Sequence, residues 1–487
     1  MDTNQTHLSA YNDLSLNTDL YQITMAQGYW DDDRAEDEAC FHLFFRSNPF
    51  DGGYAIAAGI NSFAEYIQKH FGFDSSDLEY LSTLEGNDGQ PIFDPAFLDY
   101  LSELEFECDV SAALEGTPVF PHEPIVRVKG PIIQAQLVET PLLNFVNYQT
   151  LVATKTNRIV RAAGDGPVLE FGLRRAQGPD GGLSAARGAY IGGASGTSNV
   201  LAGKKLGIPV KGTHAHSWVQ SYDTEQEAFE AFARSNPNNG VFLVDTYDSI
   251  EGVHKAVEVA KKLRQDDHEI VGIRLDSGDL AWLSQQAREI LDEAGFEDAK
   301  IVASNSLDEH TIQSLDRQND EIDIYGVGTN LVTCQDDPSL GGVYKLAAVR
   351  NEEEWDLRMK LSERKIKRSI PGVLNVRRFQ HQGEYRGDMI FHETNEWDSS
   401  DTIVDPMDPT RKKECEGRSH MLLSTFFDQG EAVRSFDVDL DAIQERRERR
   451  MGFFHEGIKR FQNPHEYPVG LSPSLHEKRQ QLIEEKS

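Results

Sequence analysis

The strongest constraint on how this chain folds is a recurrence of short apolar runs between residues 241 and 328. VFLVDT (241 to 246), IVGIRL (270 to 275), KIVAS (300 to 304) and IDIYGVG (322 to 328) return about every 20 to 30 residues, as successive βα units do. Between them KAVEVAKKLR, AWLSQQAREILDEAGF and EHTIQSLDRQ carry apolar residues at three- and four-residue spacing, and Gly295 is placed as a helix stop. The runs read as parallel strands joined by crossover helices. Each ends in residues that a buried strand does not need: Asp245 to Asp248, Arg274 to Asp279, Ser304 to Ser306 and Gly326 to Thr329. Parallel strands present their carboxyl ends on one rim, so these clusters are expected to converge there. Gly turns, hydroxyls, acids and a single Arg suit a ligand carrying phosphates and a metal ion.

A chain of 487 residues exceeds one ordinary core. The pattern predicts an α/β protein with an incomplete βα (TIM-like) barrel and a mixed α/β domain from the two ends. Residues 1–125 form the N-terminal α/β part, 126–345 the barrel, and 346–487 a part that returns to the first. A formal charge of −33, from 81 acidic against 48 basic residues, argues against a nucleic-acid or acidic-membrane partner. A surface adapted to high salt accounts for that balance, because at about 1 M salt the Debye length is only ~3 Å. An acidic chain without such adaptation is the alternative. Cys40, Cys108, Cys334 and Cys415 stand far apart, so free thiols in a reducing cytoplasm fit better than a disulfide framework or a zinc knuckle. MDTNQTHLSAYND shows neither a basic region nor an apolar core, and no run approaches ~20 apolar residues, so neither a signal peptide nor a membrane span is expected.

Taken in order, a polar lead precedes LNTDLYQITMAQGYW (16 to 30), which reads as a helix capped by Thr18 or Asp19 with Tyr21, Met25 and Tyr29 on one face. On spacing alone Tyr21 reads as core. ACFHLFFRSNPFDGGYAIAAGI (39 to 60) gives a strand, Arg46, a turn at Asn48-Pro49 and Gly52-Gly53 before an apolar helix. Arg46 is either a solvated loop residue or a contact for an anion. Residues 61 to 115 alternate amphipathic segments with acidic loops. Residues 118 to 140 read as strands punctuated by proline, and PLLNFVNYQTLVATKTNRIVRAAG as one long helix ending at Gly164. Strand VLEFGL leads to Arg174-Arg175, a turn at Pro179 to Gly182, a helix to about Tyr190 and a Gly-rich loop through Ser198. Strand IPVKGT then opens onto Thr213-His214-Ala215-His216. A neutral imidazole there suits a nucleophile, a base or a metal ligand, although no third ligand stands at a zinc spacing. Residues 334 to 362 resume strands with Lys345, Arg358 and Lys360, and 363 to 435 are strand-rich with acidic loops. DAIQERRERRMGFFHEGIKRF (441 to 461) reads as a charged helix with a solvated face, and the tail ends in a further helix.

TDLYQITMAQGY, FFRSNPFDGGYAIAAG, EFGLRRAQGPDGG, GGASGTSNVLAG, GTHAHSW, VDTYD, RLDSGDL and GVGTNLVT, in this order, closely resemble the nicotinate phosphoribosyltransferase family. The resemblance implies a homodimer whose active site is completed by the partner's N-terminal segment. It also implies that nicotinate and 5-phosphoribosyl 1-pyrophosphate yield nicotinate mononucleotide and pyrophosphate, with ATP hydrolysed through a phosphohistidine and Mg²⁺ assisting. By motif, His216 would be phosphorylated and His214 would fill a variable place. Thr213 and Arg274 would hold nicotinate, Tyr21 and Asp19 would reach in from the other subunit, Phe171 would stack on the pyridine ring and Arg174 would bind phosphate. Asp248, Asp276 and Asp279 would serve ribose hydroxyls and Mg²⁺, with Asp279 the metal ligand, and the turn Gly326, Gly328 and Thr329 would receive the ribose phosphate. Relatives that use nicotinamide place an Asp where Ser198 stands, so a carboxylate ligand is expected here. The family usually reads Ser-Asn-Asp at Ser304-Asn305-Ser306, which removes an acid from that loop. Nicotinamide or quinolinate phosphoribosyl transfer, and a non-catalytic nucleotide-binding barrel, are the alternatives.

Overall fold

The computed structural model describes residues 13–351, 354–364, 367–393, 400–436 and 439–486. The first twelve residues of the polar lead lie outside them. The chain forms two compact units, one from 1–150 with 339–487 and the other from 151–338.

The first unit is built on two sheets that draw strands from both ends of the chain. A seven-stranded sheet runs in the order Glu354–Leu357, Val343–Asn351, Glu38–Phe44, Val126–Pro131, Asp109–Ala113, Leu423–Asp428 and Glu431–Ala432. All its ladders are antiparallel, and the pairing of Glu38–Phe44 with Val343–Asn351 ties residues 299 to 310 positions apart into one layer. A mixed six-stranded sheet is centred on Glu384–His392, which pairs antiparallel with Leu374–His381 and parallel with Val469–Leu471. Helices Leu20–Asp31, Ile60–His70, Ser75–Ser82 and Pro95–Ser102 accompany them.

Two readings of this part change. Within residues 118 to 140, Ile132–Leu137 is a helix and not a strand. All six of its residues are buried, so no polar face betrayed a helical period. The helix Leu440–Met451 is not simply a solvated face either. Arg447 is buried, Arg446 donates to the Glu115 carbonyl at 2.9 Å, and Arg450 donates to Thr117 Oγ1. Its charged side chains satisfy a loop that would otherwise leave carbonyls and hydroxyls without partners.

In the second unit the four apolar runs form Val241–Leu243, Gly272–Leu275, Lys300–Ser304 and Ile324–Val327. Helices Ser249–Gln265, Leu280–Glu293 and Glu309–Asp316 alternate with them, and Gly295 follows the second in the left-handed conformation at φ 78°. With Val168–Glu170 and Gly196–Thr197 they make one six-stranded sheet. Its order is Gly196–Thr197, Val168–Glu170, Ile324–Val327, Lys300–Ser304, Gly272–Leu275, Val241–Leu243, with every ladder parallel.

Among the described residues no ladder joins the two edge strands, so the hydrogen-bonded sheet is open. IPVKGT is not a strand: only Val210 bridges Thr197, beside Pro209, which has no N–H to donate. The turn expected at Pro179 to Gly182 lies inside the helix Gly178–Gly192, whose first turn accepts Pro179.

Candidate active site

Because all ladders of the second unit are parallel, the residues that follow each strand lie on one rim. Arg274 is its centre. It sits on an inner strand, Gly272–Leu275, with Lys300–Ser304 on one side and Val241–Leu243 on the other. Its guanidinium is pinned from three directions: Nε donates to Ser304 Oγ at 2.8 Å, one terminal nitrogen to Thr213 Oγ1 at 3.0 Å, and the other to Asp276 Oδ1 at 2.8 Å. A guanidinium has five N–H groups in a rigid fork, so two remain for a ligand. The Phe171 ring centroid lies 5.7 Å from its Cζ.

Asp276 completes this frame. Burial raises its carboxyl, but the hydrogen bond from Ser304 and the charge of Arg274 outweigh burial and hold it below the ordinary carboxylate range. Its backbone N–H donates to Asp245 Oδ2 at 2.8 Å, and Ser277 Oγ donates to the same oxygen at 2.6 Å. The other oxygen of Asp245, Oδ1, is buried and has no hydrogen-bond partner.

The two histidines of the Thr213 to His216 loop have different surroundings. His214 is buried, with its ring 4.8 Å from that of Phe232 and its Nε2 accepting the Leu243 N–H at 3.2 Å. Leu243 belongs to an edge strand, so this imidazole satisfies a backbone donor that no neighbouring strand pairs. Burial, aided by the Arg274 charge, lowers its pKa to about 4, which keeps Nε2 an acceptor at neutral pH. His216 is half-exposed at the start of a short helix, with Nδ1 3.1 Å from Thr246 Oγ1 and Nε2 3.6 Å from Asp276 Oδ2.

Other expected residues stand as follows. Asp248 and Asp279 are helix caps, accepting from the N–H of Glu251 at 3.0 Å and of Trp282 at 3.1 Å. Gly326 is required for packing, since a Cβ there would meet the Phe171 ring at 2.7 Å. Gly328 precedes the short helix Thr329–Val332, and Thr329 is exposed. Arg174 is exposed on the turn Leu173–Arg175, where its side chain makes no hydrogen bond or ion pair among the described residues. Asp19 and Tyr21 belong to the other unit. Asp19 accepts from Thr140 Oγ1 at 2.8 Å, and Tyr21 is 48% exposed, contrary to its reading as core; Gln22, Ile23 and Ala26 form the buried face of that helix.

Sequence reasoning overlooked Glu170, buried at the end of Val168–Glu170. It accepts from the Gly172 N–H and the Thr197 hydroxyl and so shapes the Phe171 turn. Burial raises its pKa against those two bonds. An acid inside the apolar run VLEF was the available signal, since a buried carboxyl needs partners. Thr246 and Ser304 were likewise seen only as members of clusters.

The rim holds no cage of three carboxylates among the described residues. Among the described residues, the one acidic group with ligand atoms close enough to cage an ion is Asp13, Asp74 and Asp77, in the other unit. Mg²⁺ usually takes only one or two carboxylates plus substrate phosphates, and the orphaned Asp245 Oδ1 fits that role.

The model of the nicotinate phosphoribosyltransferase family matches residues 167–366, and the models of its N-terminal and C-terminal domains match 16–147 and 375–479. A Bacillus subtilis nicotinate phosphoribosyltransferase is 42% identical over 486 residues, covering 97% of this chain and 96% of that one. The human enzyme of that name is 38% identical over 411 residues, 73% of this chain and 75% of that one. A crystal structure of human nicotinic acid phosphoribosyltransferase superposes with a TM-score of 0.84 at 32% identity, over 96% of this chain and 99% of that chain. A nicotinate-nucleotide pyrophosphorylase from Pyrococcus furiosus shares the fold at a TM-score of 0.69 and 21% identity, over 93% and 99% of the two chains. By sequence, length and fold the chain belongs to the nicotinate phosphoribosyltransferase family.

Proposed function

We propose that the chain joins nicotinate to 5-phosphoribosyl 1-pyrophosphate in the cytoplasm, giving nicotinate mononucleotide and pyrophosphate for NAD synthesis, with ATP hydrolysis coupled through His216. The observation that carries this reading is Arg274, pinned by Ser304, Thr213 and Asp276 with two N–H groups to spare. Those two suit the carboxylate of nicotinate, and the Phe171 ring beside them suits the pyridine face. A neutral amide would offer those N–H groups only a carbonyl oxygen, a weaker acceptor than the charge-assisted, two-oxygen grip of a carboxylate.

Transfer needs no general base, because the pyridine nitrogen attacks the anomeric carbon without losing a proton. The site must orient that nitrogen and hold the oxocarbenium-like ribose and the departing pyrophosphate. Asp276 is kept ionised by Arg274 and Ser304, close to where positive charge develops. Asp248 and Asp279 retain a second carboxylate oxygen each for ribose hydroxyls or Mg²⁺. Gly326, Gly328 and Thr329 offer a turn for the ribose phosphate, with Arg174 as an additional cation. Bound Mg²⁺, held by Asp245 and Asp279, would neutralise charge on the leaving pyrophosphate.

For ATP coupling, in the tautomer that carries its hydrogen on Nδ1 and donates it to Thr246 Oγ1, His216 keeps the Nε2 lone pair and can displace ADP from the γ-phosphorus. The attached phosphate then changes the charge of the rim. The sheet serves as an incomplete barrel, with His214 closing the edge beside Val241–Leu243. A second copy covers the exposed Leu20, Tyr21 and Met25, bringing Tyr21 and Asp19 to the site of its partner. The charge of −33 fits work in high salt.

Product formation from nicotinate and the phosphoribosyl donor, with and without ATP in high salt, is the deciding assay. ATP-stimulated mononucleotide formation that becomes slow and ATP-independent in His216→Ala is the expected result. No product at any salt concentration, or nicotinamide outcompeting nicotinate, would overturn the reading.

A further inference from the structure

Neither residue of the edge strand Gly196–Thr197 takes a part in the transfer described above, yet Thr197 is 1% exposed and each of its polar atoms is engaged. Along the backbone, its N–H donates to the Pro209 carbonyl at 3.0 Å and its carbonyl accepts the Lys211 N–H at 3.0 Å. Those bonds hold the segment that leads into Thr213 and His216. Gly196 lets the segment come this close, since a Cβ there would meet the Pro209 carbonyl oxygen at 2.6 Å. Through its side chain, Thr197 Oγ1 donates to Glu170 Oε2 and accepts the Asn199 N–H at 3.0 Å. Glu170 Oε1 accepts the Gly172 N–H.

These contacts close a ring around the nicotinate end of the rim. Arg274 donates to Thr213 Oγ1 at 3.0 Å, the segment before Thr213 is held by Thr197, Thr197 holds Glu170, and Glu170 holds the turn that carries Phe171 beside Arg274. The sheet itself reaches Phe171 only through the N–H that donates to the Val327 carbonyl at 2.8 Å; beyond it the chain leaves the ladder, and the Glu170 side chain takes the next N–H.

The residue types fit the task. Two donors meet Glu170, and a carboxylate accepts at both oxygens where an amide accepts at one. A hydroxyl donates and accepts at once, so Thr197 serves Glu170 and Asn199 together. Asn199 extends the frame, accepting at Oδ1 from the N–H of Leu201 at 3.1 Å and of Ala202 at 3.2 Å, and donating from Nδ2 to the Gly182 carbonyl at 3.3 Å. Glu170, Thr197 and Asn199 are all buried, so water does not replace a partner that is lost.

We propose that Thr197 is a positioning residue for the transfer: anchored by its backbone to the segment before Thr213, it holds Glu170, and through Glu170 the Phe171 turn, in register with Arg274. The inference rests on the transfer reading. Thr197 touches no substrate; its hydroxyl sets where the ring-stacking wall stands relative to the carboxylate-binding guanidinium.

Thr197→Val, which removes the hydroxyl, and Thr197→Ser, which keeps it and removes the methyl, test this in the full chain. In Thr197→Val, kcat/KM for nicotinate is expected to fall about tenfold or more, because misplacing a reacting group by about 1 Å costs up to roughly 100-fold. KM for 5-phosphoribosyl 1-pyrophosphate should stay within about twofold. Thr197→Ser should keep both within about threefold. A role in packing alone gives the reverse order, since serine leaves a void and valine fills it. Amide hydrogen exchange supplies a readout that needs no activity: in Thr197→Val, residues 171–175 and 198–202 should exchange about tenfold faster or more, with 272–275 unchanged. If Thr197→Val does not fold, Glu170→Asp, which draws the carboxylate back by one methylene, carries the same expectations. Unchanged exchange at 171–175, or a serine variant worse than the valine one, would end the proposal. A wild-type chain that makes no product while its variant shows the exchange change defeats only the transfer reading. Product formation whose nicotinate kcat/KM ignores Thr197→Val defeats only the positioning role.

Discussion

Two arginines, one in each unit, have nearly full sets of partners and yet serve different ends. Arg378 in the first unit is completely buried, makes a forked pair with Asp388 at 2.5 to 3.0 Å, donates to the Pro118 carbonyl at 2.9 Å, and is ringed by Phe120, Tyr385, Phe454 and Tyr467. Its neighbour Glu123 is pushed up by burial and by the Asp388 charge, which disfavours a second negative charge beside Asp388. Arg274 in the second unit is held as firmly, but two of its partners are neutral hydroxyls and part of its fork faces outward. A sealed cation balanced by a carboxylate organises a core. A pinned cation with spare donors organises a site.

Breaking that contrast begins with Arg378→Met, which strands the Asp388 carboxylate in the core. The expected loss is about 3 to 5 kcal/mol of stability by urea denaturation, and a loss under about 1 kcal/mol would mean that Arg378 is not the counter-charge of that core. Arg274→Lys comes next. A lysine cannot reach three partners and still fork toward a carboxylate, so kcat/KM for nicotinate should fall roughly 100-fold, about 2.7 kcal/mol. The melting temperature should change little; a large drop would place Arg274 with Arg378 as a structural residue.

His214→Ala sharpens the comparison within the rim. By its resemblance to the family this histidine fills a variable place. With the imidazole satisfying the Leu243 N–H, the expected cost is roughly 1 to 3 kcal/mol, read by chemical denaturation. Its folded pKa of about 4 lies below the 6.5 of an unconstrained imidazole, so the unfolded chain binds more protons between those values. The contribution is therefore complete above pH 6.5 and disappears as pH falls toward 4. The stability gap between wild type and His214→Ala should close over that window, and a gap constant from pH 7 to 4 would refute the lock. The smallest effect is expected at Asp248. Ala there removes a helix cap and costs about 1 kcal/mol, whereas Asn caps as well as Asp and should leave stability unchanged. Reduced activity in a stable Asp248→Asn would assign the free carboxylate oxygen to the ligand.

How far the sequence could be read depended on whether a segment has a polar face. The helices at 249–265 and 280–293 are buried on one side only, so their spacing announced them, and the four apolar runs between them announced strands. Ile132–Leu137 is buried on every side, so it looked like strand. The charges of 441–461 suggested solvent, but Arg446, Arg447 and Arg450 turn inward to meet groups more than 300 residues earlier or to lie buried. A cavity around Arg46 gathers residues near 46, 120, 405 and 467, which no local pattern connects.

The sequence by itself determined the parallel βα order, and with it the rim on which Arg274, Asp276 and Asp248 stand, because strand direction and crossover helices follow from local periodicity. Only the tertiary structure decided which of those polar groups are spoken for. It gave His214 to an edge strand, Asp248 and Asp279 to helix ends, and Asp276 to Arg274, while Asp245 Oδ1 and Arg46 Nε were left without partners. Whether a side chain is free for a ligand depends on groups far away in the chain, and chain order alone does not carry that information.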